Sequence, residues 1–229
     1  MPSVARTHQL DLSLLYHVMN RGNARFEIFH KEEDYLYFIE LLRKYSVAYE
    51  VLLYHWVLMP NHYHLLLELA KPQMLSKIMA GLNRSYVHYH HKTYKSSGHL
   101  FQGRFKSKPI EKEKYLLSCG RYIERNPVKA GIVQKAEDYS CSSARFYVFS
   151  HEDHLTTKDP LIETFGKDSD QQTKAYRDFL RKFDAEEERR FESFGFPLGS
   201  KEFMHHLTKE KGIFLLRKRG RPKKELIYL

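Results

Sequence analysis

Apolar positions in the first seventy residues recur with two different periods. Residues 14–23, LLYHVMNRGN, form an apolar run that ends in a Gly/Asn turn, a pattern typical of a β-strand. Residues 31–50 instead repeat apolar side chains at helical spacing, at Tyr35, Phe38, Ile39, Leu42 and Tyr45. Two further apolar runs, VLLYHWVL at 51–58 and HYHLLLEL at 62–69, predict strands separated by a break at Pro60.

The next sixty residues continue this alternation. A helix is predicted from Pro72 to about His91, and a glycine-punctuated strand or loop follows at 98–111. The helix that begins near residue 111 must end near Arg125, because Pro127 disfavours helical geometry in the residue before it. The order strand, helix, strand, strand, helix, strand, helix predicts an α+β fold in which helices cover one face of an antiparallel sheet.

The pattern changes after about residue 150. Residues 151–172 are polar and punctuated, as in a linker, and a charged helix is expected over 174–194. A short helix capped by Ser200 and a basic tail, RKRGRPKK at 217–224, complete the chain. We therefore expect a core domain at 1–150 and a mainly helical C-terminal extension with a basic tail at 151–229.

The composition and charge of the chain limit the kinds of binding partner to be expected. The 229 residues are 42% hydrophobic and carry a formal net charge of +10, which predicts a packed fold and an anionic partner, nucleic acid ahead of a membrane surface. A merely basic protein is the alternative. Cys119 and Cys141 make no disulfide framework, so we expect a reducing, cytoplasmic setting. No signal peptide and no apolar run of membrane-spanning length is found, so no membrane partner is expected.

The local motif that most clearly indicates a function is His62-Tyr63-His64. Residues two apart share one face of a strand, so both imidazoles would point to the same side and could bind one metal ion. Glu68 lies on the same face and is a further candidate ligand. The alternative is a pair of ordinary histidines, since the chain contains fourteen.

A second pair of residues, Tyr122 and Asn126, lies four apart at the end of a predicted helix, and therefore on one face. A tyrosine hydroxyl can attack a phosphorus atom and conserve the bond energy in a phosphotyrosine, and an Asn carboxamide oxygen can complete a metal site. The alternatives are a packing tyrosine, one of sixteen, and a helix C-cap before proline.

Cations cluster in three places. Arg104, Lys106 and Lys108 alternate along GRFKSKP and would present three charges to phosphates from one face, while Arg121 and Arg125 flank the tyrosine. The tail places cations around a Gly-Arg-Pro step, resembling an AT-hook that enters the minor groove through Arg219 and Arg221. The alternatives are a solvated basic face and a tail with non-specific affinity.

Five segments together resemble the REP-associated tyrosine transposases, within the HUH superfamily of single-strand transposases. They are YHVMNRGNARFEIF at 16–29, WVLMPNHYHLLLE at 56–68, GHLFQGRFKS at 98–107, RYIERNPVKAGIV at 121–133 and DYSCSSARFY at 138–147. They cover about the first 150 residues in the family's order, and the resemblance makes 1–150 the catalytic domain. It also implies a ferredoxin-like sheet with the histidines on a central strand.

The resemblance implies a role for each candidate. His62 and His64 correspond to the family's paired metal ligands, Tyr122 to its nucleophile and Asn126 to its third ligand. The metal would be Mg²⁺ or Mn²⁺, and the substrate single-stranded DNA folded into imperfect hairpins, cut through a 5′-phosphotyrosine. Relatives act as monomers or homodimers.

Two other interpretations remain. His62, His64 and Glu68 match part of a cupin motif, although Trp56 and Leu75 stand where that motif has glycines. The chain could also be a domesticated hairpin-DNA binder or regulator without catalysis.

Overall fold

Four strands form one antiparallel sheet in the computed structural model, which describes residues 15–69, 71, 74–194 and 197–209. The strands are β1 (Leu15–Arg21), β2 (Val51–Met59), β3 (His62–Leu69) and β4 (Lys106–Ile110). Their order in the sheet is β2-β3-β1-β4, so β3 and β1 are central.

Two long helices connect the strands. Helix α1 (Glu32–Tyr49) joins β1 to β2, and α2 (Leu75–Tyr94) joins β3 to β4. This βαββαβ order with two inner strands is ferredoxin-like, which confirms the predicted α+β fold. It also shows that the cupin interpretation is wrong, because a jelly roll is built from two packed sheets.

Both faces of the sheet are covered, and the expectation of helices on one face only is therefore wrong. Tyr63, Leu65 and Leu67 alternate into a core beneath α1 and α2. The opposite face packs against α3 (Lys112–Glu124), with Leu66 and Leu116 in a second core. The sequence analysis did not place α3 on the histidine-bearing face, although the apolar stripe of α3 also needs a partner.

Helix α3 ends at Glu124, as the proline rule predicted, and a one-turn helix α4 (Asn126–Lys129) follows. Pro127 lies in the first turn of α4, where its missing N–H needs no partner. The catalytic candidates Tyr122 and Asn126 therefore flank a change of helix.

Helix α5 (Ala144–Phe149) lies at the end of the predicted core domain, and the C-terminal extension adds α6 (Ser169–Arg181), α7 (Ala185–Glu192) and α8 (Lys201–Lys209). The predicted cap of α8 is confirmed, since Ser200 Oγ accepts from the Phe203 amide at 3.1 Å. Residues of the extension enter all three apolar clusters: Leu155 and Leu207 in the first, Phe191 in the second, and Ile162, Tyr176 and Leu180 in the third. The segment interpreted as a linker is thus partly buried.

One buried polar network ties α3 to the extension. The His55 ring on β2 contacts Glu124 at 2.9 Å and Asp159 at 3.0 Å, and the Tyr176 hydroxyl donates to Glu124 at 2.7 Å. Burial lowers the pKa of His55, but the two carboxylates outweigh burial and raise it to about 9. The imidazolium between two carboxylates therefore clamps the end of α3 onto the sheet.

Among the described residues, no helix combines the length and apolarity needed to cross a membrane.

Candidate active site

The end of α3 faces the histidines of β3 across one cavity. Strand alternation places His62 and His64 on the α3 side of the sheet, while Tyr122 and Asn126 approach from the helix. All four line a cavity of about 280 Å³, together with Arg21, Lys129, Glu192 and Phe194. The structure thus brings together the four residues that the sequence singled out for chemistry.

His62 contacts two asparagine side chains. Its Nδ1 lies 2.6 Å from Asn61 Oδ1, and its side chain also hydrogen-bonds to that of Asn126. Burial, with a smaller effect of Arg21, lowers the pKa of His62 to about 4. The ring is therefore neutral at physiological pH and has a lone pair to give to a cation.

His64 is positioned by a residue that the sequence analysis missed. Its Nδ1 lies 2.7 Å from Nε2 of His17, a hydrogen bond in which either ring can donate. Burial lowers the pKa of both well below the ordinary value, and only 4% of His64 is exposed. The contact engages Nδ1 of His64, which leaves Nε2 as the ring nitrogen available to a ligand.

The alternation of side chains along β1 is the sequence pattern that could have drawn attention to His17. His17, Met19 and Arg21 share a face, and β1 pairs with β3 so that Met19 is opposite His64. That register follows from long-range pairing, so sequence spacing alone could not place His17 beside His64.

Asn126 is oriented by the backbone of α3. Its Nδ2 donates to the carbonyl oxygens of Tyr122 at 2.9 Å and Ile123 at 3.1 Å. With the amide nitrogen committed to the helix, the side-chain oxygen is the atom left for a ligand.

Two imidazole nitrogens and one carboxamide oxygen fit a divalent cation. All three groups are neutral, and each has its other polar atom engaged, which is how outer partners orient metal ligands. Mixed nitrogen and oxygen ligation is compatible with Mg²⁺ or Mn²⁺, and a pair of imidazoles also suits zinc. No cluster of three His, Cys, Asp or Glu suited to a metal occurs in the described part of the chain, so the carboxamide is needed to complete this set.

Glu68 binds other side chains and not the candidate metal ligands. Its carboxylate accepts from Lys112 Nζ at 2.6 Å and from the Tyr54 hydroxyl at 2.9 Å. It lies four residues beyond His64, roughly 13 Å along an extended strand. Asn126 is thus the better-placed third ligand.

Tyr122 is enclosed rather than open to solvent. It is 6% exposed, and its ring lies 5.5 Å from that of Phe191 and 5.9 Å from that of His64, centroid to centroid. Burial raises the pKa of its phenol above the ordinary value. A reaction at this oxygen therefore needs help with removal of the proton and access for a substrate.

The prediction of three exposed cations in a row is wrong for Lys108. It is 2% exposed, and its Nζ donates to the backbone carbonyls of Arg190 at 2.8 Å and Ser193 at 2.6 Å. Burial lowers its pKa to about 8. The ammonium closes the C-terminal end of α7, where free carbonyls attract a cation, so this side chain is withdrawn from any phosphate.

Arg121 and Arg125 are also engaged by the extension. Arg121 pairs with Glu187 and lies over the ring of Phe179, while Arg125 donates to the carbonyl of Leu180 at 3.0 Å. Both face α6 and α7 rather than open solvent, contrary to the picture of cations displayed around the tyrosine.

Arg104 and Lys106 are exposed, as expected. Arg219 and Arg221 lie outside the described residues.

The extension reaches the cavity itself. Glu192 and Phe194 line it, and Lys129 on the opposite wall pairs with Glu188 at 3.1 Å and with Glu192. The ring of Phe194 lies 4.7 Å from that of His17. An acidic and aromatic segment of the extension therefore forms part of the wall of the site.

A ferredoxin-like sheet with two histidines beside a helical tyrosine is the arrangement expected of the transposases that the sequence resembles. The family model described as "Transposase IS200 like" matches residues 12–126, half of the chain, and that range includes His62, His64, Tyr122 and Asn126. The chain belongs to this family of IS200-like transposases.

A comparison with solved structures supports the fold. One match is "Structure of the REP associates tyrosine transposase bound to a REP hairpin", with a TM-score of 0.54 and 21% identity over 69% of this chain and 90% of that one. No curated protein matches the chain.

Proposed function

We propose that this chain is a metal-dependent single-strand DNA endonuclease and strand transferase that acts on hairpin DNA through Tyr122. The observation that supports this most directly is the convergence of His62, His64, Asn126 and Tyr122 on one cavity. Family membership supports a DNA transposition reaction, and the solved relative bound to a hairpin supports a hairpin substrate. The net charge of +10 is in keeping with an anionic partner.

His62 and His64 would hold Mg²⁺ or Mn²⁺ through their available ring nitrogens, and Asn126 through its carboxamide oxygen. When bound, the metal supplies Lewis-acid polarisation of the scissile phosphate. Tyr122 Oη forms a bond to phosphorus as the bond from phosphorus to the 3′ oxygen breaks, and the phenolic proton is transferred overall to that leaving oxygen. Attack by another 3′-hydroxyl reverses the step and joins the strands.

The proposed division of labour assigns chemistry to residues 1–150 and control of access to residues 151–229. Each chain supplies one tyrosine, so strand exchange uses either two copies or one site twice. The reaction would take place in the cytoplasm, where Cys119 and Cys141 stay as the free thiols that the structure shows.

A covalent-adduct assay tests the proposal. Protein, a DNA hairpin with single-stranded flanks and Mn²⁺ are mixed, denatured and separated on a gel. Wild type should give a protein–DNA adduct, and Tyr122→Phe should give none while binding the hairpin with unchanged affinity. Tyr115→Phe on the same helix is the matched control and should retain the adduct. An adduct that persists in Tyr122→Phe would overturn the assignment.

One observation favours a second candidate, a hairpin-binding regulator without catalysis. Glu192 and Phe194 of the extension line the cavity, and Tyr122 is buried beneath Phe191. The same assay separates the two functions, because a regulator binds the hairpin but forms no adduct in either Mg²⁺ or Mn²⁺.

A further inference from the structure

Two histidine side chains meet on the face of the sheet that α1 and α2 cover, away from the candidate active site. His30 lies two residues before α1, and His90 lies near the end of α2. Nε2 of one ring lies 3.1 Å from Nε2 of the other. His90 is 6% exposed, whereas the side chain of His30 is 39% exposed, so solvent reaches the pair from the side of His30.

Hydrogen bonds decide which nitrogen of His90 carries the proton. Burial, with a smaller effect of neighbouring imidazoles, lowers the pKa of His90, so the ring is neutral at physiological pH. His91 Nε2 lies 3.1 Å from the carbonyl oxygen of Gly98, which can only accept, so this nitrogen is the donor. In the neutral ring, His91 Nδ1 then accepts from the Ser96 hydroxyl at 2.9 Å. The Ser96 oxygen is left to accept from His90 Nδ1 at 3.4 Å, so Nε2 of His90 presents a lone pair to His30.

The His30 ring is placed to do the same. Its Nδ1 lies 3.7 Å from the carboxylate of Glu27, and a negative charge favours a proton on the nitrogen that faces it. Nε2 of His30 then also presents a lone pair, and two lone pairs that face each other at 3.1 Å repel. Moving the proton to Nε2 would relieve this repulsion but would leave a lone pair facing the carboxylate. A cation between the two rings removes both conflicts.

The surroundings of the pair favour positive charge. Asp34 accepts from the backbone amide of His30 at 2.8 Å. It also accepts from the hydroxyls of Tyr94 at 2.6 Å and Tyr89 at 3.0 Å. Burial alone would raise the pKa of Asp34, but these hydrogen bonds lower it, so the carboxylate is ionised. Together with Glu27 it places two negative charges close to the two imidazoles.

The separation of the two nitrogens suits a transition-metal ion. At metal–nitrogen bonds of about 2.0–2.1 Å, two imidazoles on one ion hold their nitrogens about 2.8–3.4 Å apart. The distance of 3.1 Å falls in that range, so a small rotation of each ring aims both lone pairs at one point. Each Nδ1 also has an outer partner, Glu27 for His30 and Ser96 for His90, as is common for histidine ligands.

We propose that His30 and His90 form a second metal site, which binds zinc or another transition ion that prefers imidazole, such as nickel or copper. Within the residues that the structure describes, no third His, Cys, Asp or Glu joins the pair, so water completes the coordination. The ion links the segment before α1 to the end of α2 and stabilises the fold. His62 and His64 lie on the other face of the sheet, so the site does not depend on the proposed function.

Zinc titration of the full, chelator-treated chain tests the site. His30→Gln and His90→Gln each remove one ligand, and each should bind one Zn²⁺ fewer than wild type by calorimetry. His30 is half-buried, so His30→Gln remains a usable variant if His90→Gln fails to fold. Ser96→Ala should weaken binding of that ion about 10–100-fold, as loss of an outer partner commonly does. His88→Gln, at an exposed position of α2, is the matched control and should keep the wild-type number.

Thermal melting gives a second readout. An ion that binds only the folded chain raises the melting temperature. Zn²⁺ should therefore raise the melting temperature of wild type and His88→Gln more than that of His30→Gln. The same concentration of Mg²⁺ should not distinguish the three proteins, because Mg²⁺ prefers oxygen ligands.

Three results would overturn the site. The first is an unchanged number of bound zinc ions in folded His30→Gln. The second is loss of the ion in His88→Gln as well, which would assign it to the exposed histidines of α2. The third is a wild type that binds a single zinc ion and loses it in His64→Ala, because His30 and His90 would then share only a proton.

Discussion

At the scale of single residues, His17 determines how His64 can act. Its ring lies 2.7 Å from His64 Nδ1, in a place where both rings are buried. A metal ligand whose second nitrogen is held presents the first in a fixed direction, and partners of this kind are commonly worth about 10–100-fold in metal affinity. His17 is therefore a positioning residue in our interpretation, not a catalytic one.

We predict that His17→Phe weakens Mn²⁺ binding about 10–100-fold, measured by calorimetry on DNA-free protein. A phenyl ring fills the space but offers no hydrogen bond to His64. His17→Gln, which can present a nitrogen or oxygen to His64, should recover part of the affinity. Equal affinity in wild type and His17→Phe, with both proteins folded, would show that His17 only packs.

The closeness of Tyr122 and Asn126 could be predicted from the sequence, because their spacing of four and the following proline place them about one turn apart at a helix end. Their proposed roles came from the resemblance to the transposases. Lys108 could not be placed correctly in the same way. Its burial depends on the carbonyl end of α7, more than eighty residues away in the chain, and no local pattern indicates that contact.

At the scale of elements, ion pairs hold α7 against the end of α3, the helix that carries Tyr122. Glu187 pairs with Arg121, and Glu188 and Glu192 pair with Lys129, so carboxylates occupy cations beside the cavity. DNA phosphates would compete for the same cations. We therefore expect these ion pairs to slow the binding of a substrate, because the pairs must break before the cations can contact phosphates.

We predict that the triple variant Glu187→Gln, Glu188→Gln, Glu192→Gln forms the covalent adduct several-fold faster than wild type. Partly exposed pairs contribute about 0.2–1 kcal/mol each, so breaking three of them costs energy of that order. Glu186→Gln is the control, since Glu186 pairs with Arg190 within α7. A rate equal to wild type, measured by adduct formation over time, would contradict the expectation that these ion pairs slow substrate binding.

The clamp of His55 links β2, α3 and the extension, and its charge depends on pH. The pKa of His55 is raised from 6.5 to about 9 in the folded chain, so its contribution to the free energy of unfolding is complete below pH 6.5. The contribution is lost as pH rises from there through 9. Stability should therefore fall over this range.

We predict that His55→Gln flattens the part of the stability curve between pH 6.5 and 9, as measured by urea unfolding at each pH. The variant should also be less stable at every pH below 9, because Glu124 and Asp159 lose their cation in a buried site. His151→Gln, at an exposed position, is the matched control and should keep the wild-type slope. Parallel curves for wild type and His55→Gln would mean that His55 stays neutral.

At the scale of the whole molecule, periodicity predicted the sheet and its helices well. Strand and helix periods are set by local geometry, so β1 to α3 follow from the positions of apolar residues. The packing of α3 and the extension against the second face of the sheet could not be predicted from these periods. It depends on α3 and on Phe191 of the extension packing against Leu15 and Leu66, which no local period encodes.

The concentration of positive charge near the C-terminus leads to a prediction for the basic tail. Residues 209–224 contain eight cations and one acid, and most of this segment lies outside the described residues. Truncation after Gly212 should weaken hairpin binding and reduce the dependence of affinity on salt, since each phosphate neutralised contributes about 0.7–0.9 to the logarithmic slope. Anisotropy titrations at several salt concentrations measure both. An unchanged slope would exclude the tail from DNA binding.

The alternation of β1 also bears on which genetic changes the protein tolerates. His17, Met19 and Arg21 face one cavity region while Val18 and Asn20 face the other side. Deleting or inserting a single codon in this strand would turn the side chains beyond that point in β1 to the opposite face, so that residues of the apolar core would replace residues of the cavity. A substitution changes one face at a time, whereas a reading-frame-preserving indel damages both, so β1 should vary by replacement and keep its length.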